Sequence, residues 1–154
     1  MTHHCAAIVT CMDYRLHQRA DGRNCLAEFV KGLHVDCDFI ARAGGILDLV
    51  RPESEGFSGT LLRDAEVAAK LHAADPIILI NHEDCGAYRA RMHFRSREEQ
   101  IAQHHHDLEQ AMQILAGRFP GKTVRVFLAE LKAGTEDEFL IRPSLQPPSV
   151  CPTT

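Results

Sequence analysis

The feature that most constrains this fold is an alternation of short apolar segments with longer helix-like segments. The short segments, rich in β-branched residues and typical of buried strands, are residues 6–10, 35–40, 76–80 and 123–131. The helix-like segments are residues 21–33 and 58–73, with apolar side chains three or four apart, and the long, charged residues 96–115. This order predicts an α/β fold with a mostly parallel sheet, right-handed crossovers and helices on both faces.

The chain length of 154 residues is typical of a single domain. We predict a sheet with strand order 2-1-3-4, and a short apolar segment at residues 139–141 predicts an antiparallel edge strand after the turn at Gly134. Residues 1–142 are expected to form this domain. Residues 143–154 hold four of the seven prolines and cannot continue a helix or a central strand, so we expect a proline-rich C-terminal tail.

Composition excludes several functional classes. The net charge is −4, from 17 basic and 21 acidic residues, and no basic run is present, which argues against a nucleic-acid partner. The longest apolar runs fall far short of the roughly 18 residues that span a bilayer. The first residues lack a basic flank followed by an apolar signal region, so we expect a cytoplasmic protein. Six cysteines in a reducing compartment favour metal binding or catalysis over disulfides.

Polar side chains follow two of the predicted strands at the points where those strands end. The first strand runs into Cys11, and the third runs into His82 and Cys85. The order 2-1-3-4 makes these strands neighbours, so their carboxyl ends would bring two sulfurs and one nitrogen together. Thiolate and imidazole are preferred zinc ligands, and three protein ligands leave a fourth position for water, as in catalytic sites.

Asp13 and Arg15 extend this predicted zinc site. A carboxylate two residues after a zinc thiolate could take the fourth position itself, or accept a hydrogen bond from zinc-bound water. The guanidinium of Arg15 could hold Asp13 through two parallel hydrogen bonds and decide between these states. Because zinc lowers the pKa of bound water toward neutrality, zinc-bound hydroxide is the expected nucleophile.

Three motifs together resemble the β-class carbonic anhydrases. They are Cys-x-Asp-x-Arg at residues 11–15, Ala-Gly-Gly at residues 43–45 and His-x-x-Cys-Gly at residues 82–86. The resemblance implies one zinc ion per chain, with Cys11, His82 and Cys85 as ligands and with Asp13 and Arg15 as the dyad that controls the fourth position. It also implies a lyase, a carbonate dehydratase that hydrates carbon dioxide reversibly to bicarbonate, working as a homodimer or higher homo-oligomer.

The first predicted strand begins within a few residues of the first methionine, where members of that family usually carry a helical arm. The resemblance is therefore to a short, arm-less member. Some relatives hydrolyse carbonyl sulfide or carbon disulfide on the same kind of site, so the substrate stays open among these small molecules. A further alternative is a non-catalytic zinc-binding dimer in which Asp13 is the permanent fourth ligand.

The segment from Cys85 to Arg91 also matches the Cys-x5-Arg loop of cysteine phosphatases, in which a thiolate attacks phosphorus. That interpretation explains neither Cys11 nor His82, and it lacks a glycine-rich loop.

The remaining polar residues are expected to be structural. Glu83 and Asp84 are predicted to be exposed turn acids, with Asp84 as an alternative residue for orienting the zinc histidine. Residues 104–106 are three consecutive histidines, and adjacent helix positions point about 100° apart, so we expect a solvated helix face instead of a metal site. The cysteines without ligand spacing, expected to be core or surface thiols, are Cys5, Cys25, Cys37 and Cys151.

Overall fold

A computed structural model of the chain describes residues 4–144. Its centre is a five-stranded sheet with the order β2-β1-β3-β4-β5. The strands are β1 (Cys5–Cys11), β2 (Asp36–Arg42), β3 (Ile77–His82), β4 (Val124–Leu131) and β5 (Phe139–Pro143). Neighbouring strands are parallel except β4 and β5, which pair antiparallel. The predicted α/β fold, the order 2-1-3-4 and the antiparallel edge strand are therefore confirmed.

Five α-helices cover the sheet within the described residues. They are α1 (Cys25–Leu33), α2 (Leu47–Val50), α3 (Glu55–Leu71), α4 (Gly86–Arg91) and α5 (Arg97–Arg118). Ser54 and Ser96 cap the N-termini of α3 and α5 through their hydroxyl oxygens. Helix α1 is capped by Asn24 and begins later than the predicted segment, which opened with Asp21. Helices α2 and α4 were not predicted, because four and six residues are too few to show a helical period.

The sheet separates two apolar layers. Ile78 and Ile80 of β3 point into one layer, which α1 covers, whereas Ile77 and Leu79 point into the other, which α3 and α5 cover. All six residues of β3 are buried because helices lie on both faces of this central strand. That position explains why the sequence shows a continuous apolar run here instead of an alternation.

Helix α5 carries a buried polar cluster against the carboxyl end of β3. Asn81 donates hydrogen bonds from its amide nitrogen to Tyr88 (3.0 Å) and to Nδ1 of His104 (3.1 Å), and Tyr88 donates to Asp107 (3.1 Å). The prediction that residues 104–106 lie on a solvated face is therefore wrong for His104, which is fully buried. Its partners are 16 and 23 residues away in sequence, so the local pattern did not show them.

Strand β5 ends at a proline, in a position where a sheet tolerates this residue. Pro143 is the last residue of β5, an edge strand, where a missing N–H group is tolerated. Residues 145–154, which include Cys151 and most of the predicted tail, lie outside the described residues. Within residues 4–144, none of the helices has the length and apolar character needed to cross a membrane.

Candidate metal centre

The three predicted metal ligands lie together at the carboxyl ends of two adjacent strands. Cys11 is the last residue of β1, His82 is the last residue of β3, and Cys85 is the N-cap of α4. One ligand atom from each of the three lies within 4.8 Å of the other two, and the two sulfurs are 3.9 Å apart. All three residues are buried. This buried group of two thiols and one imidazole could bind a metal ion.

The imidazole of His82 is oriented for such a role. Its Nδ1 is 2.8 Å from the carbonyl oxygen of Glu83, and the ring packs edge-on against Phe139 with the centroids 5.4 Å apart. Donation from Nδ1 leaves the lone pair on Nε2 as the free ligand position. Nε2 is buried and has no hydrogen-bond partner among the described residues. A buried imidazole nitrogen without a partner, next to two thiols, fits a metal ion.

The contact between the Cys11 and Cys85 thiols shifts their pKa values in opposite directions. The hydrogen bond from Cys85, reinforced by nearby His82, lowers the pKa of Cys11 to about 4 against the opposing effect of burial. The Cys11 thiolate then raises the pKa of Cys85, because a second negative charge would lie only 3.9 Å away. A divalent cation between the two sulfurs would offset this repulsion, and thiolate is the form that binds metals.

Asp13 lies beside the ligand set and is held by Arg15. The Nε and Nη2 atoms of Arg15 donate to the two carboxylate oxygens at 3.0 and 2.8 Å. Burial raises the pKa of Asp13, but the hydrogen bonds from the side chain and backbone of Arg15 lower it by more, so the net shift is downward. Oδ2 of Asp13 is 3.8 Å from Nε2 of His82. An ionised carboxylate therefore borders the three ligand atoms.

Arg15 is itself fully engaged, since all five of its N–H groups donate. Beyond Asp13, its Nη1 donates to the Asp84 carboxylate (3.1 Å) and to the carbonyl oxygen of Glu136 (2.9 Å), and its Nη2 donates to the carbonyl oxygen of Asp84 (3.1 Å). Asp84 has a positive φ of 60°, and its backbone N–H donates to the side chain of Gln100 at 2.8 Å. Asp84 therefore positions Arg15, and it is the Glu83 carbonyl that orients His82.

The prediction that Glu83 is an exposed turn acid is wrong. Its side chain is buried, and its carboxylate accepts hydrogen bonds from both Nε and Nη2 of Arg97 and from the backbone N–H of Leu131. These contacts tie the loop between His82 and Cys85 to α5 and β4. The sequence contains no local sign of this role, because the partners lie 14 and 48 residues away.

A groove beside the dyad and the contacts of Arg91 bear on the choice between a metal site and a phosphatase site. Asp13, Arg15 and Asp84 line an open groove of about 940 Å³, so the dyad can be reached from solvent. Arg91, which the phosphatase interpretation would place around a Cys85-bound phosphate, instead contacts Glu53 at 3.3 Å and the carbonyl oxygen of Arg51. The arginine of the Cys-x5-Arg segment is thus occupied elsewhere, which argues against a phosphatase.

Comparisons with known proteins agree with this architecture. A relative in Rickettsia bellii (strain RML369-C), described as an uncharacterized protein, is 28% identical over 142 residues, which cover 89% of this chain and 83% of that protein. A tetrameric β-carbonic anhydrase of Sordaria macrospora shares the fold, with a TM-score of 0.60 at 13% identity, covering 93% of this chain and 81% of that chain. A carbon disulfide hydrolase shares it with a TM-score of 0.54 at 15% identity, covering 94% and 80%.

The family assignment comes from the sequence as a whole. A family model described as "Putative carbonic anhydrase" matches residues 1–130, which include both strand ends that carry the candidate ligands. The chain therefore belongs to this carbonic anhydrase family and has the fold of the β class.

Proposed function

We propose that this protein is a zinc-dependent carbonic anhydrase that catalyses the reversible hydration of carbon dioxide to bicarbonate. The observation that carries the proposal is the buried set of Cys11, His82 and Cys85 with the Asp13–Arg15 pair at its border. Two thiols and an imidazole form a donor set suited to zinc, whereas magnesium and calcium prefer oxygen ligands. When bound, zinc would supply Lewis-acid chemistry that makes water nucleophilic near neutral pH.

Asp13 would orient the attacking water. Its carboxylate is ionised, because the hydrogen bonds of Arg15 lower its pKa, and an ionised carboxylate accepts hydrogen bonds but donates none. Oδ2 lies 3.8 Å from Nε2 of His82, one of the three candidate ligand atoms. A water O–H donating to Oδ2 would keep its oxygen lone pairs directed toward the electrophilic carbon of the substrate.

Arg15 would keep Asp13 out of the metal's fourth position. Asp13 is not among the residues whose ligand atoms all lie within 4.8 Å of one another, so binding the metal would draw its carboxylate toward at least one sulfur. That movement would strain its two charge-assisted hydrogen bonds with Arg15, whose guanidinium is held by Asp84 and the carbonyl of Glu136. Such bonds contribute about 1.5–3 kcal/mol each. This cost supports a catalytic centre over the non-catalytic alternative in which Asp13 is the fourth ligand.

A homodimer or higher homo-oligomer is part of the proposal. Strand β2 is a free edge of the sheet within the described residues, and Phe39 on it is 47% exposed. An exposed edge strand offers unpaired backbone groups to another chain. The Sordaria macrospora enzymes that share this fold are described as tetrameric.

The test measures carbon dioxide hydration by stopped-flow with a pH indicator, alongside the zinc content of the full-length protein. Hydrolysis of carbonyl sulfide and of carbon disulfide is measured on the same preparation as sulfide release. We expect zinc and hydration activity in the wild type. Cys11→Ser should lose one zinc equivalent and the activity, and Asp13→Asn should keep the zinc but lose most of the activity.

Cys37→Ser is the matched control, because Cys37 is a half-buried thiol on β2 away from the ligand set. It should retain both metal and activity. Zinc-loaded protein that hydrates no carbon dioxide at any pH, yet releases sulfide, would move the assignment to a hydrolase. Inactivity toward all three substrates would favour the non-catalytic alternative, and a wild type without zinc after purification free of chelators would refute the proposal.

A further inference from the structure

A second cluster of metal-ligating side chains lies at the opposite end of the sheet. Cys5 is the first residue of β1, Asp38 lies on β2, and His72 is the C-cap of α3. One ligand atom from each of these three lies within 4.8 Å of the other two. Cys5 and Cys11 occupy opposite ends of the same strand, about 20 Å apart at the usual rise per residue, so this cluster is separate from the first site.

The fold fixes the backbone of all three residues. Strands β1 and β2 are parallel with Cys5 opposite Asp36, so Asp38 lies on the same sheet face as Cys5, two positions further along. The carbonyl oxygen of Cys5 also accepts a hydrogen bond from the backbone of Asp75 at 2.8 Å. The backbone N–H of His72 donates to the carbonyl of Ala68, which ends α3 beside the two strands.

We propose that Cys5, Asp38 and His72 form a second zinc site in this protein. Sulfur, nitrogen and carboxylate oxygen are the three donor types that zinc takes in proteins, and a water molecule would complete the tetrahedron. Nδ1 of His72 and Oδ2 of Asp38 are now 2.6 Å apart. Zinc–ligand distances near 2.1 Å would place them about 3.4 Å apart, so only a small side-chain movement is needed.

The surroundings favour a cation. Asp36 adds a second carboxylate on the face that Cys5 and Asp38 share. Asp38 and His72 line an open groove of about 540 Å³, so an ion can enter from solvent. The ion would join β1, the edge strand β2 and the end of α3. Without an ion, the Asp38–His72 contact is an exposed hydrogen bond of little stabilising value, and the Cys5 thiol donates only to the carbonyl oxygen of its neighbour Ala6 at 3.2 Å.

The experiment counts zinc equivalents. Full-length protein is stripped with chelator, kept reduced, and titrated with zinc chloride in competition with a chromophoric zinc indicator. The wild type should bind two equivalents, and Cys11→Ser should bind one, at the second site. Cys5→Ser and His72→Gln should each bind one equivalent while their carbon dioxide hydration stays at the wild-type level.

Cys37→Ser is again the matched control, because Cys37 lies next to this cluster in sequence but packs on the opposite sheet face with Ala6. It should bind two equivalents. His72 has a largely exposed side chain, so His72→Gln tests the site even if Cys5→Ser folds poorly. Retention of the second equivalent in either single variant would overturn the proposal, as would a wild type that binds one equivalent or takes the second only at millimolar zinc.

Discussion

Replacing Gly45 with alanine should destabilise the protein at the point where Gly45 packs against Asn81 and Cys11, next to the candidate metal site. Gly45 has a φ of +60°, and an added Cβ would lie 2.9 Å from the side-chain oxygen of Asn81 and 3.3 Å from the backbone nitrogen of Cys11. The left-handed conformation costs an alanine about 1–2 kcal/mol. Overpacking against a buried amide and a strand end adds about 1–3 kcal/mol, because Asn81 is held by Tyr88 and cannot simply swing away.

The expected loss for Gly45→Ala is therefore about 2–5 kcal/mol of unfolding free energy, measured by urea denaturation of the reduced, chelator-treated protein. Gly121→Ala is the control. Gly121 also has a positive φ, +86°, but an added Cβ there would meet nothing within 4 Å. The control carries the backbone cost alone, so the two variants should differ by about 2 kcal/mol, or roughly 4–8 °C in Tm for a chain of this size.

Equal destabilisation by Gly45→Ala and Gly121→Ala would refute this reasoning, because it would mean that Asn81 and the end of β1 adjust freely. A second readout is the zinc affinity of the first site. Pushing the backbone nitrogen of Cys11 would displace a proposed ligand residue, so Gly45→Ala should bind zinc more weakly at this site, whereas Gly121→Ala should bind it as the wild type does.

Three further predictions concern stability. Burial lowers the pKa of His104 to about 3 from its ordinary 6.5. The unfolded chain therefore binds a proton at this residue before the folded protein does, and the free energy of unfolding falls as the pH drops below about 6.5. Between pH 7 and 5, the wild type should lose about 2 kcal/mol more of this free energy than His104→Gln, measured by urea unfolding. Glu83→Gln should cost about 2–4 kcal/mol at pH 7, since the amide oxygen can replace only Oε2, which accepts from Nη2 of Arg97 and from Leu131, while the amide NH2 group would face the Nε–H donor of Arg97; an unchanged midpoint would contradict this role. Leu79→Ala should cost about 2–5 kcal/mol in the same assay, because Leu79 is fully buried on the central strand.

The features that could be predicted from the sequence are those that depend on residues close together in the chain. The apolar run that became β3 and the spacing of apolar side chains in α3 are local signals, and the predicted order 2-1-3-4 is one of the common strand orders of doubly wound sheets. Cys11, His82 and Cys85 could be selected because metal-ligand residues stood where predicted strands ended. The Cys5 cluster was missed, since its three members are separated by more than 30 residues each and share no motif.

The surroundings of the candidate metal ligands could not be predicted either, because they too depend on residues that are distant in the chain. Glu83 and Asp84 look like two solvated acids in a turn, yet each is bound by a side chain of α5, a helix that begins only after α4 has intervened. Arg97 holds the first through its carboxylate, and Gln100 holds the second through its backbone N–H. Whether a charged residue is buried depends on whether a partner reaches it, and that depends on tertiary structure.

Through these contacts α5 holds the loop of Glu83 and Asp84 in place, a role that its sequence does not indicate. The carbonyl of Glu83 orients His82, and both the side chain and the carbonyl of Asp84 hold Arg15, which in turn holds Asp13. The loop that makes these contacts is anchored on α5 through Arg97 and Gln100, so the geometry of both the candidate ligand His82 and the dyad depends on a helix that supplies neither. Substitution of Arg97 or Gln100 should therefore change metal affinity and the position of Asp13 together.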